Sequence, residues 1–198
     1  MESITKNKIK VLLFLLKDFS VDYNANSLSK KVHLTSMGAL KILKRLEKQE
    51  LVISKKIGNA VFYKINFASD YARSYLEFIL RQETEQSIPR VKRWVKELNK
   101  LRDVSEIGLL FGSVLKSEVY SDVDLLLVIK PSDNIKANKI IHKINELGVK
   151  RVNAVKQTNG DFIGNLKKRD KVLLNAIKNG IVLFGYGSFF EVIKDVSA

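Results

Sequence analysis

Two apolar runs, Ile107–Phe111 and 125–129, constrain this chain more than any other feature, because each reads as a buried strand without a polar face. Between them lies "GSVLKSEVYSDVD", in which Gly112 and Ser113 end the first run and Asp122 and Asp124 lead into the second. Strand residues two apart point the same way, so both carboxylates converge on one volume. They repel each other there unless a cation lies between them. Glycine at the exit of the first strand permits close backbone approach, and the Ser113 hydroxyl and the amides after it can meet an anion.

The rest of the last third alternates in the same manner. Strands are predicted at Ile107–Phe111, 122–129, 151–155 and Ile181–Phe184, with helices at 132–147 and 161–179 and a helix start at Ser113. Residues 103–198 therefore read as an α/β unit with a small mixed sheet. "GYGS" at 185–188 reads as a turn, and "NLKKRDK" at 165–171 as a solvated helix face. His33 and His142 stand alone, which suits surface or capping positions.

"FGSVLKSEVYSDVDLLLV" resembles the signature of the polymerase-beta nucleotidyltransferase superfamily, closest to its minimal one-domain members. The likeness spans roughly 104–185 and includes the late "IKNGIVLFG". It implies Asp122 and Asp124 as catalytic and metal-binding residues, with Gly112, Ser113, Lys116 and Ser121 around a nucleoside triphosphate and magnesium as the metal. Two positions depart from the family's pattern. The third acid of the next strand corresponds to Asn153, a neutral side chain that cannot take up a proton. The arginine-glycine that often follows the Gly-Ser pair corresponds to Lys116-Ser117. Nucleotide and magnesium binding are still expected, whereas turnover is not. Asp161 is the next carboxylate along the chain.

The first third has a different character. Apolar residues at helical spacing cover 4–19, a short helix follows a cap at Asn26 or Ser27, and Thr35 is positioned to cap "SMGALKILKRLEKQE". Leu40, Leu43 and Leu46 make the apolar stripe of that helix. Then 51–57 and 61–67 flank Gly58-Asn59 as a hairpin. The order helix, helix, turn, basic helix, hairpin resembles the winged helix-turn-helix regulators of bacteria and archaea over 4–67. By that likeness the basic helix would enter the major groove of double-stranded DNA through Ser36, Met37, Lys41, Lys44 and Arg45. Lys30 of the preceding helix and Lys55, Lys56 and Lys64 of the hairpin would lie along the phosphates.

Charge is distributed to match. The chain carries a formal +14, and residues 1–69 alone hold 13 basic and 5 acidic side chains. A local +8 attracts a polyanion by counterion release. Residues 69–102 form a helical connector. In it Tyr71, Tyr75, Phe78 and Ile79 make one stripe, and Val91, Trp94, Val95, Leu98 and Leu101 make another behind Pro89.

With no cysteine, disulfides and thiolate metal sites are excluded, and no apolar stretch approaches a membrane span or a secretory signal. The expectation is an α+β, cytoplasmic, homodimeric protein. It has a winged helix-turn-helix at 1–68, a connector at 69–102 and a nucleotidyltransferase-like domain at 103–198. Transcription regulation is its leading function. The alternative is an active nucleotidyltransferase acting on a partner protein or a small-molecule hydroxyl, as antitoxins of this type do.

Overall fold

A computed structural model of the chain describes residues 5–197. Its helix and strand content is α+β, divided into two compact units, the first reaching Ile79 and the second running from Leu80 to Val196.

The first unit begins with α1, Lys6–Lys17, capped by Thr5, so the predicted start at residue 4 lies outside the described residues. Next come a two-residue strand β1, Tyr23–Asn24, and α2, Ala25–Lys31. The cap of α2 is Asn24, two residues earlier than the sequence suggested. Its side chain accepts from the Ser27 amide while Ser27 Oγ accepts from the Asn24 amide, a reciprocal pair that Asn26 cannot make. Thr35 caps α3, Ser36–Lys48, as expected, accepting from Gly38 N at 3.0 Å.

The hairpin is β2, Val52–Ile57, and β3, Ala60–Ile65, turning through Gly58 at φ +57°. β1 adds a third, unpredicted strand on the free side of β3. Leu12, Leu16, Leu28, Leu43, Leu46, Val52, Tyr63 and Ile65 form the buried interior of this unit. Ala39 takes the place assigned to Leu40, which is only half-buried.

α4, Asp70–Glu85, is rotated from the predicted stripe, of which Ile79 is buried and Tyr75 half-buried. Ala72, Leu76, Ile79 and Leu80 are buried, while Tyr71 and Phe78 are 55% and 50% exposed. Two apolar stripes overlap in this helix, and the aliphatic one is in the core.

In the second unit α5, Pro89–Leu98, continues into a 3-10 turn, and four strands follow. They are β4, Ile107–Phe111; β5, Asp122–Val128; β6, Arg151–Gln157; and β7, Ile181–Phe184, in the spatial order β6-β5-β4-β7. β5 and β6 are parallel and the other pairs antiparallel, which makes the sheet mixed. α6, Asn134–Leu147, covers one face together with α5. There Val123, Leu125, Leu127 and Val152 meet Trp94, Leu98, Ala137 and Ile141.

The helix predicted at 161–179 is two helices, α7, Asn159–Lys167, and α8, Lys171–Asn179. Arg169 adopts φ +56° and Asp170 caps α8 through the Leu173 amide, so the chain turns where a continuous helix was expected. "GYGS" is a turn only at Gly185, φ +75°; Tyr186 begins a further helix, α9, Tyr186–Ser197, that was not foreseen. Ser113 opens a short 3-10 turn, Ser113–Leu115.

Candidate functional site

Alternation along β5 decides where the carboxylates point. Val123, Leu125 and Leu127 belong to the core under α6, so Asp122 and Asp124 emerge on the opposite face at the start of the strand. The parallel register sets Arg151 across from Asp122 and Asn153 across from Asp124, with Val152 turned into the core. Asn153 Nδ2 donates to Asp122 Oδ2 at 2.8 Å, and Ser121 Oγ donates to Asp122 Oδ1 at 3.1 Å. Asp124 instead lies against Gly112. A Cβ built on that glycine would collide with Asp124 Oδ2, and its φ of +85° is open to glycine almost alone.

Partial burial, and then the neighbouring charge of Asp122, raise the Asp124 carboxyl above its ordinary range. No ion pair is made by either aspartate among the described residues. Two hard oxygen donors on one face, one of them pushed toward protonation, are chemistry that a magnesium ion shared with phosphates would relieve. Among the described residues no group of three or more His, Asp or Glu is placed to enclose a metal.

The loop bearing Ser113 and Lys116 is held from behind. Arg90 Nε donates to the Val114 carbonyl at 2.9 Å, and Trp94 Nε1 donates to Tyr120 Oη at 3.0 Å. Lys116 and Ser117 both donate their amides to the Ser113 carbonyl at 2.9 Å, leaving the Ser113 hydroxyl and the Lys116 side chain at the surface. Arg151 is a basic residue of this face that the sequence did not single out. Only strand pairing reveals it. Asp161 is absent from the site: it accepts from Thr158 Oγ1 and helps cap α7, beyond the far end of β6.

The second candidate surface lies on the first unit. Met37, Lys41, Lys44, Arg45 and Lys48 are exposed along one side of α3, with Ala39, Leu43 and Leu46 buried on the other. Glu47 is turned away and accepts from the Ser54 hydroxyl of β2. Lys30, Lys41, Lys44, Arg45, Lys55 and Lys56 are exposed and make no ion pair among the described residues. Lys64 differs, since it pairs with Asp22 at 2.8 Å. Ser36 is also engaged: its hydroxyl donates to Asn26 Oδ1 at 2.9 Å and lies 3.3 Å from Ser29 Oγ. The register places Lys56 on the hairpin face of Tyr63, and Lys55 and Lys64 on the other.

No family model matches the chain, and no curated protein matches it. Among solved structures it is similar to mutants of Lactococcus lactis ZitR. A doubly substituted mutant is 15% identical over 50% of this chain and 73% of that one, with a TM-score of 0.30. A singly substituted mutant is 18% identical over 52% and 78%, with a TM-score of 0.29. Scores of that size carry no argument about function.

Proposed function

We propose that the protein is a DNA-binding transcription regulator, with a winged helix-turn-helix at 1–68, a connector at 69–102 and a nucleotidyltransferase-like domain at 103–198 that binds a nucleotide with magnesium. The observation that carries the proposal is the ridge Met37, Lys41, Lys44, Arg45, Lys48 on α3, whose cations have no acidic partner among the described residues. A helix of that composition fits the major groove, while Lys30, Lys55 and Lys56 flank it as phosphate contacts. Two copies on paired half-sites would double the contact set. A gel shift against random and promoter duplexes across a salt series is the test. Binding that does not weaken with salt, or no binding, refutes the proposal.

In the second domain Asp122 and Asp124 would hold the magnesium, and the Ser113 hydroxyl and loop amides would meet phosphate oxygens, with Lys116 and Arg151 adding charge at the rim. Asn153 supports binding without turnover, since its amide occupies Asp122 and cannot accept a proton from an attacking hydroxyl. A second reading, an active nucleotidyltransferase acting on a partner protein or small-molecule hydroxyl, is supported by Asp122 and Asp124 sharing one face of β5. Labelled ATP with magnesium separates the two: transfer of label that is lost in Asp122→Asn establishes the enzyme.

A further inference from the structure

Polar side chains at the start of α3 are already committed. Thr35 Oγ1 accepts from the Gly38 amide, and Ser36 Oγ donates to Asn26 Oδ1 beside Ser29. What the first turn of the helix offers outward is Met37, 62% exposed, with Lys41 one turn behind it and Lys44 and Lys48 continuing the same side. An apolar side chain set among unpaired lysines suits a surface that is apolar at one point and anionic around it. A protein partner that buried Met37 would also have to bring a carboxylate to each of those lysines.

Duplex DNA meets both requirements at once, because its backbone neutralises lysines while its major groove presents one apolar group, the C5 methyl of thymine. We infer that Met37 is a specificity-determining residue that reads a thymine methyl in the operator, with Lys41 directed to the neighbouring base edge or phosphate and Ser36 serving to hold α3 against α2. This inference rests on the DNA-binding proposal and narrows it to one functional group of one base.

Uracil substitution isolates that group, since it removes the methyl and leaves pairing intact. The full chain is first used to select its site from a random-sequence duplex pool, and each thymine of the selected site is then replaced singly by uracil. One replacement per half-site is expected to weaken binding about fourfold, the worth of one buried methyl. Met37→Ala is expected to bind the thymine and uracil duplexes equally, and Met37→Leu to keep most of the difference. Selective binding in which every uracil replacement is neutral, or in which wild type and Met37→Ala lose equally, overturns the inference and leaves DNA binding standing. Failure to enrich any duplex overturns both.

Discussion

Asn153 lends its side-chain amide to Oδ2 of Asp122, while the Ser121 hydroxyl takes Oδ1, so both oxygens of one carboxylate are engaged within the protein. Asparagine at this place is a neutral stand-in for a cation. Asn153→Asp removes the donor and adds a third negative charge to the face shared by Asp122 and Asp124. The variant is expected to melt a few degrees below the parent in EDTA. It is expected to recover more than the parent does when millimolar magnesium is added. Thermal melting with and without metal reads both effects, and equal responses in the two proteins would refute a magnesium site there.

Asp124 has the opposite difficulty. Its carboxyl titrates above the ordinary range, because partial burial and the charge of Asp122 disfavour ionisation. The folded state therefore holds its proton to higher pH than the unfolded state does, and stability falls as pH rises through the interval between the two values. Asp124→Asn removes this loss. It is expected to melt higher than the parent at neutral pH, with the advantage shrinking as pH falls through that interval and gone below the ordinary carboxylate value of about 4. Magnesium binding by calorimetry should disappear in the same variant. Stabilisation by pH 7 melting together with loss of metal binding is the signature of a site and not of a structural ion pair.

Gly112 joins these side chains to the backbone. Its φ of +85° with ψ of −156° lies where a Cβ is strained, and the Cβ itself would collide with Asp124 Oδ2. Gly112→Ala is expected to cost about 1–3 kcal/mol in chemical denaturation. Because the collision is with the carboxylate, Gly112→Ala combined with Asp124→Ala should cost less than the two changes summed.

Much of this site is legible in the sequence because its determinants are local. The spacing of Asp122 and Asp124, the glycine at 112 and the Thr35 cap each act over a few residues. What stayed hidden depends on pairing across distance. Asn153 meets Asp122 across 31 residues, and Arg151 joins the same face only because β6 runs parallel to β5 in that register. β1 is too short to show a period. In α4 the aromatic and aliphatic stripes overlap, and composition does not say which is buried. The break at Arg169 was missed because no proline or glycine marks it, and the Asp170 cap takes that role.

A buried hydrogen bond in the first unit gives a prediction independent of any ligand. Tyr23 Oη donates to Asp18 Oδ2 at 2.6 Å, and burial, then that bond and charge, push the tyrosine's titration well above its ordinary value. Tyr23→Phe is expected to cost about 1–3 kcal/mol, since a buried acceptor loses a donor. The folded state keeps the phenolic proton above pH 10, where the unfolded chain begins to release it, so stability drops as pH rises beyond that point. Tyr63 and Tyr75 are raised as well and add to the drop. The part belonging to Tyr23 is the difference between parent and Tyr23→Phe, and their melting curves should converge as pH climbs from about 9 toward 11.

The ridge on α3 fixes a number that a binding experiment can read. Lys30, Lys41, Lys44, Arg45, Lys55 and Lys56 are six exposed cations without ion-pair partners among the described residues. If each neutralises one phosphate, log affinity should fall with log salt at a slope of about −5 per protomer, because each contact contributes about −0.9. Lys41→Ala with Lys44→Ala should reduce the slope by about 2. Lys64 sits in its pair with Asp22, so Lys64→Ala should change the slope by less than one contact. A slope unchanged by Lys41→Ala with Lys44→Ala would move the DNA off α3 and onto another face of the chain.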